Sequence, residues 1–221
     1  MNFGFRAQIL GSALLLLIGT AAQAGPVIQA TGATSSLGSY SSQYLPGYAI
    51  DQSGLSAGYV SGVTDFASYV ATTTSVAGGS SFNTWFSSPG VLTGNFDFAL
   101  GSAKAIQSFV LWNDPQAALQ GVNSFTLLAS DTSSFATSTN LGTFTALDTD
   151  IHAQVFDFAP ITASFVRMQI NSNFGSTFVT GFVEGAFQGA SIPTTVPEPF
   201  TLSLFGSGLA GAAVLRRRRR R

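Results

Sequence analysis

In four runs between Asn95 and Phe187 apolar residues recur at every second position, and that spacing limits those runs to extended structure. Phe96, Phe98 and Leu100 share one side of Asn95–Leu100, with Asp97 between them. Ile106, Ser108, Val110 and Trp112 alternate with Gln107, Phe109 and Leu111. In Phe165–Ile170, Val166, Met168 and Ile170 lie opposite Phe165, Arg167 and Gln169. Val183, Gly185 and Phe187 lie opposite Phe182, Glu184 and Ala186. A strand sends successive side chains to opposite faces, whereas a helix needs a period near 3.6. Clusters of Gly, Ser, Asn and Asp separate the runs, and neither a convincing amphipathic helix nor a fixed repeat is visible. The pattern predicts an antiparallel β-sandwich. Most of the chain's 20 phenylalanines fall within it, so the expected core is phenylalanine-rich and lies between two sheets.

The two ends are unlike this middle. Met1–Arg6 carries one positive charge and leads into the apolar run Ile9–Ile18, then Gly19, Thr20 and Ala22-Gln23-Ala24. A short basic start, an apolar stretch and small residues before a cleavage point describe a secretory signal covering residues 1–24. The run is shorter than the roughly 20 residues a spanning helix needs, which argues against a retained anchor. After the middle, residues 189–196 read as a linker of small residues and proline.

Charge and cysteine usage narrow the partners. Arg6 and Arg216–Arg221 lie in the ends, leaving Lys104 and Arg167 against eight Asp and Glu184, so the middle carries 2 − 9 = −7. Such a surface repels phosphate backbones, and nucleic acid is not an expected ligand. Cysteine is absent, which excludes zinc–thiolate sites, cysteine catalysis and disulfide bracing. The ~165 residues between the ends must hold together by core burial alone.

From Val196 the chain runs through Pro197-Glu198-Pro199, an uncharged apolar stretch Phe200–Leu215 of 16 residues, and six arginines. Basic residues stay cytoplasmic, so a helix here would leave the C-terminus inside and the main domain outside. This order resembles the PEP-CTERM sorting signal of Gram-negative bacteria, over residues 197–221. The resemblance implies recognition by an exosortase near Pro197, Glu198 and Pro199, transient anchoring in the inner membrane, and an association with exopolysaccharide and biofilm. A simple tail anchor is the plainer alternative. Gly206-Ser207-Gly208-Leu209-Ala210-Gly211 matches a dinucleotide fingerprint by accident, since only arginines follow where an acid should hold a ribose.

The middle resembles the discoidin domain, also called the coagulation factor 5/8 type C domain. The matching pieces, in order, are Ala49-Ile50-Asp51, Thr84-Trp85-Phe86, Phe96–Gly101, Ile106–Trp112, Ser124–Asp131, Phe165–Met168 and Phe182–Phe187. The cysteine pair of many animal members is missing, and Thr72–Ser81 reads as a longer loop. The expected fold is therefore all-β, a discoidin-like jelly-roll β-sandwich over residues 25–188. An N-terminal signal peptide and a C-terminal single apolar helix flank it.

Candidate sites follow from both readings. In bacterial discoidin-like carbohydrate modules an early aspartate and a late glutamate help bind structural calcium, which assigns Asp51 and Glu184 as metal ligands. Asp51 starts the turn Asp51-Gln52-Ser53-Gly54, which could add backbone carbonyls to its carboxylate, and these are the hard donors that Ca²⁺ takes. The resemblance puts the binding surface on loops at one end of the sandwich, here Tyr40–Tyr48 and Tyr59–Tyr69. Tyr40, Tyr44, Tyr48 and Trp85 are then candidate sugar platforms, while Trp112, in an alternating strand, reads as core. The one histidine, His152, follows Asp148 and Asp150 in a loop-like stretch, with no nucleophile elbow in the chain. No catalytic residue is assigned. The expectation is a non-catalytic carbohydrate-binding or adhesion protein of the cell surface or extracellular matrix, with extracellular polysaccharide as partner. A structural matrix protein without a specific ligand is the alternative.

Overall fold

A computed structural model describes residues 25–76, 83–115, 119–148 and 150–190. They belong to a compact unit ending at Ala190. The signal segment, the linker from Ser191, the Pro197-Glu198-Pro199 motif and the apolar tail lie outside the described residues. Among the described residues no helix is long and apolar enough to cross a membrane.

The strands are β1 (Val27–Ile28), β2 (Gly32–Ser35), β3 (Trp85–Phe86), β4 (Gly94–Asn113), β5 (Val122–Ser130), β6 (Thr139–Thr145), β7 (Gln154–Asn173) and β8 (Gly181–Gly189). The runs Asn95–Leu100 and Ile106–Trp112 form one strand, because β4 continues through a bend. Gly94–Ala99 pairs with Phe165–Ile170 of β7, and Lys104–Leu111 pairs with Gln154–Ala163 after a register shift. Gly101 sits in the bend at φ +78°, and a Cβ there would lie 2.9 Å from Thr31 Oγ1. Both conditions select glycine.

The bend divides the strands into two antiparallel layers. One contains β2, the first half of β4, the second half of β7, β5 and β6. The other contains β1, β3, β8, the second half of β4 and the first half of β7. Rings from the two layers meet between them. The Phe96–Phe182, Phe98–Phe187 and Phe98–Phe109 centroids are 4.8, 5.5 and 5.6 Å apart. Each of these rings is fully buried, and burying one stabilises the fold by about 1.5–3 kcal/mol.

Two bulges change which residues share a face. Gln107 is skipped between the Ile106–Gly189 and Ser108–Gln188 pairs, and Val183 between the Glu184–Trp112 and Phe182–Asn113 pairs. Ile106, Phe109 and Leu111 therefore join the inner core, while Val110 and Trp112 point to the outer face. Phe182 and Phe187 face inward, and Val183 and Ala186 face outward. Strict alternation had grouped Ile106 with Trp112 and Val183 with Phe187. One looped-out residue reverses that grouping.

The outer face of the β8 layer is covered by residues 55–75. Leu55, Tyr59, Phe66 and Tyr69 pack on Val110, Trp112, Val183 and Ala186. This segment contains a helix, α1 (Phe66–Thr72), capped by Asp65, whose Oδ1 accepts from the Ser68 N–H at 2.9 Å. That bond holds the Asp65 carboxyl below its usual range. Seven residues are too few to show a helical period in sequence. Tyr59 and Tyr69 are 8% and 6% exposed. The Tyr59–Tyr69 segment is thus a lid on the sheet through Tyr59, Phe66 and Tyr69, while residues 60–63 between them are exposed.

Candidate functional site

Two constellations stand out, one acidic and buried, the other aromatic and exposed. The acidic one begins at the 3-10 helix Pro46–Ala49, which delivers the chain to Asp51 and Gln52. Gln52 adopts φ 67°, a left-handed turn rare for a residue with a Cβ. Its backbone N–H donates to Glu184 Oε2 at 3.1 Å, and its side-chain Oε1 accepts from the Tyr59 N–H at 2.7 Å. Asp51 accepts from the Ser53 N–H at 2.9 Å and is itself exposed.

Glu184 is fully buried, brought to the outer face by the Val183 bulge opposite Trp112. Its Oε1 and the buried Tyr59 hydroxyl make no hydrogen bond of good geometry, yet the two side chains interact, the phenol acting to lower the carboxyl. Burial pushes the Glu184 carboxyl well above its usual range. The Gln52 N–H opposes that rise, and the Asp51 charge adds to it. Burial, then the Glu184 charge, raises the Tyr59 phenol as well. Tyr69 next to it is pushed up to about 12, chiefly by burial. Sequence reasoning named Asp51, Glu184 and carbonyls of the Asp51-Gln52-Ser53-Gly54 turn, but not the Gln52 N–H bond to Glu184 or the burial of Tyr59 beside it.

The donors here suit a hard cation. The carboxylates of Asp51 and Glu184 and the Tyr59 phenol are all oxygen, although the Gln52 N–H and the Tyr59 hydroxyl already engage Glu184. Among the described residues no group of three or more His, Cys, Asp or Glu gathers. A cation at Asp51 and Glu184 would need further oxygens from hydroxyls or backbone carbonyls.

The aromatic constellation lies where three loops meet at the Gly94 end of β4. The Ser36 N–H donates to Asn95 O, the Tyr40 N–H to Phe86 O at 2.9 Å, and the Gly90 N–H to Phe178 O at 2.7 Å. These bonds line up four rings in the order Phe86, Tyr44, Tyr40, Phe178. Successive centroids are 5.3, 5.5 and 5.7 Å apart. Tyr40 and Phe178 are 44% and 50% exposed, and Leu45, Val91 and Leu119 are exposed apolar residues on the neighbouring loops. Tyr48 sits on the 3-10 helix Pro46–Ala49 and is half-buried. Phe178 escaped the sequence reading because it lies in a polar loop, Asn173–Thr180, with no periodic signal.

Trp85 is not a platform. It is fully buried between Phe96 and Phe182 at centroid distances of 4.8 and 5.5 Å, and its indole N–H donates to Gly38 O at 3.0 Å. Strand β3 pairs with β8, which turns the indole inward and presents the half-buried Phe86 to the tyrosines instead. Trp112 is also fully buried, donating to Thr73 O at 3.0 Å. His152 is exposed and pairs with Asp150 at 2.7 Å. The His152 N–H and imidazole hold the Asp150 carboxyl below its usual range.

The sequence and the fold each have a counterpart among known proteins. Residues 195–220 match the PEP-CTERM protein-sorting motif. That motif marks an exported, exosortase-processed surface protein. No curated protein matches the sequence. The fold is that of discoidin-like carbohydrate-binding modules. One similar structure is a selenomethionine-labelled variant of chitosan-binding module 1 from a chitosanase/glucanase of Paenibacillus sp. IK-5. It has 20% identity and a TM-score of 0.52, over 75% of this chain and 99% of that one. Another is the family 32 CBM from C. perfringens NanJ in complex with galactose. It has 13% identity and a TM-score of 0.50, over 74% and 98% of the two chains.

Proposed function

We propose that this chain is a surface or extracellular-matrix protein of a Gram-negative bacterium that binds polysaccharide without transforming it. The Phe86–Tyr44–Tyr40–Phe178 ladder carries the reading. Its rings meet edge-to-face or tilted, at 55–71°, and the half-exposed Tyr40 and Phe178 offer apolar surface to the C–H faces of pyranose rings, with Tyr hydroxyls offering hydrogen bonds at the rim. The sorting motif delivers such a module outside the cytoplasm. The arginines after the apolar segment hold the C-terminus in the cytoplasm, with the segment in the inner membrane, until the exosortase acts. The partner is then the exopolysaccharide of the cell's own biofilm matrix.

Calcium belongs to this reading as a structural ion. Asp51 and Glu184 would hold it, and its charge would let the buried Glu184 ionise at neutral pH while tying the Gln52 turn to β8. The test is co-sedimentation of the full-length chain, in mild detergent, with exopolysaccharide from the producing cells, in calcium and in chelator. Saturable binding that weakens in Tyr40→Ala supports the proposal. A folded protein that binds in neither condition overturns it in favour of a structural matrix role.

A further inference from the structure

We infer that the aromatic platform takes neutral or amine-bearing glycans and rejects carboxylated or sulfated ones. The inference rests on the polysaccharide-binding reading and adds the chemical class of the sugar. Recognition of a uronate or sulfate ester needs a cation that can reach it, usually a bidentate arginine. Residues 25–190 contain two basic side chains, Lys104 and Arg167. Neither serves the platform.

Arg167 is already engaged. Its Nε and Nη2 donate to Asp97 Oδ1 and Oδ2 at 2.7 and 2.8 Å, and its guanidinium lies 4.1 Å from the Phe135 ring centroid. Both oxygens of Asp97 and one face of the fork are taken. Lys104 lies at the bend of β4, opposite Ala163. The platform loops are tied to the other end of that run, at Asn95 and Gly94. Six residues of extended strand, roughly 20 Å, separate the two ends of the Gly94–Ala99 run, and Lys104 lies beyond it. That exceeds the screening length of about 8 Å at physiological ionic strength.

The rest of the surface acts in the same direction. Residues 25–190 carry 2 − 9 = −7 by formal charge. At physiological salt that net charge adds only a weak repulsion for a long anionic polymer, and no cation at the platform offsets it. A neutral or amine-bearing sugar needs no such cation.

Affinity electrophoresis of the full-length chain in mild detergent tests this, with chitosan, a neutral β-glucan or alginate cast into native gels. Runs at about 50 and 500 mM salt separate charge attraction from stacking. The inference expects saturable retardation by chitosan or the β-glucan, reduced about tenfold or more in Phe178→Ala and in Tyr40→Ser. It expects none by alginate at about 500 mM salt, and at about 50 mM only retardation that both variants retain, which Arg216–Arg221 supply. Unchanged thermal melting of the two variants establishes that they fold. Saturable alginate binding lost in both variants overturns the charge-class inference while leaving polysaccharide binding intact. Chitosan binding that survives both variants and vanishes at high salt, with no β-glucan binding, also overturns it. No retardation by any of the three overturns the polysaccharide-binding reading itself.

Discussion

The backbone N–H of Gln52 donates to Glu184 Oε2 at 3.1 Å, joining a turn to a strand 132 residues further along the chain. The bond is possible because Gln52 takes a left-handed conformation and because the Val183 bulge turns Glu184 to the outer face. The turn, the lid over residues 55–75 and the closing strand are thereby held at one buried carboxyl. Such a group, raised by burial, makes stability depend on pH and on any cation that binds it.

The sign of the pH effect follows from the direction of the shift. The folded protein binds the Glu184 proton more tightly than the unfolded chain does. That contribution is fully present below the unfolded carboxyl value of about 4.3 and is lost as pH rises toward the raised folded value. In chelator, the melting temperature should therefore fall as pH rises above the unfolded carboxyl value, and Glu184→Gln should flatten the decline. Added calcium should raise the melting temperature most at the alkaline end, by an amount equivalent to about 2.7 kcal/mol at a hundredfold excess over its Kd. Thermal melts of wild type, Glu184→Gln and Asp51→Asn check this. Equal calcium stabilisation in all three would exclude the site.

Phe178 is half-exposed and at the end of the ring ladder, so Phe178→Ala should separate binding from folding. We expect a loss of less than about 1 kcal/mol in stability, with glycan affinity falling about tenfold, equivalent to 1.4 kcal/mol. Paired denaturant melts and binding isotherms give both numbers.

Trp85 should behave in the opposite way. Removing a fully buried indole wedged between Phe96 and Phe182 leaves a cavity and strands the Gly38 carbonyl. Trp85→Ala should lose about 3–5 kcal/mol. Trp85→Phe should lose less and keep glycan affinity unchanged, because the ring never faces the ligand. A drop in affinity for a well-folded Trp85→Phe would contradict this placement.

Gly185 lies beneath the inner rings, and a Cβ there would sit 2.9 Å from Phe98 Cζ and 3.0 Å from Phe109 Cε2. Gly185→Ala should cost about 1–3 kcal/mol through overpacking. Gly47→Ala, where a Cβ meets nothing within 4 Å, is the matched control. Urea denaturation of the two variants reads the difference.

Much of the architecture was legible along the chain because period-two alternation is local. Phe96, Phe98 and Leu100 declare a face by their own spacing, as do Val166, Met168 and Ile170, and the structure buries both sets in the inner core. The sorting motif, too, is written in consecutive residues. The bulges at Gln107 and Val183 were not legible. A looped-out residue is decided by the register of its partners, and its own sequence carries no mark of it. For the same reason the seven-residue α1 and the burial of Tyr59 and Tyr69 were invisible.

The candidate sites divide along this line. Sequence alone determined that the middle is a cysteine-free, acidic, phenylalanine-rich β domain, and it singled out Asp51, Glu184, Tyr40 and Tyr44. Only tertiary structure decided that Trp85 turns inward while Phe86 and Phe178 complete the aromatic ladder. Only tertiary structure, again, brought Gln52 and Tyr59 to the buried carboxyl. The reason is physical. A residue's face within a strand is fixed by its neighbours in sequence, but what that face meets is fixed by segments that pairing and burial bring in from elsewhere in the chain.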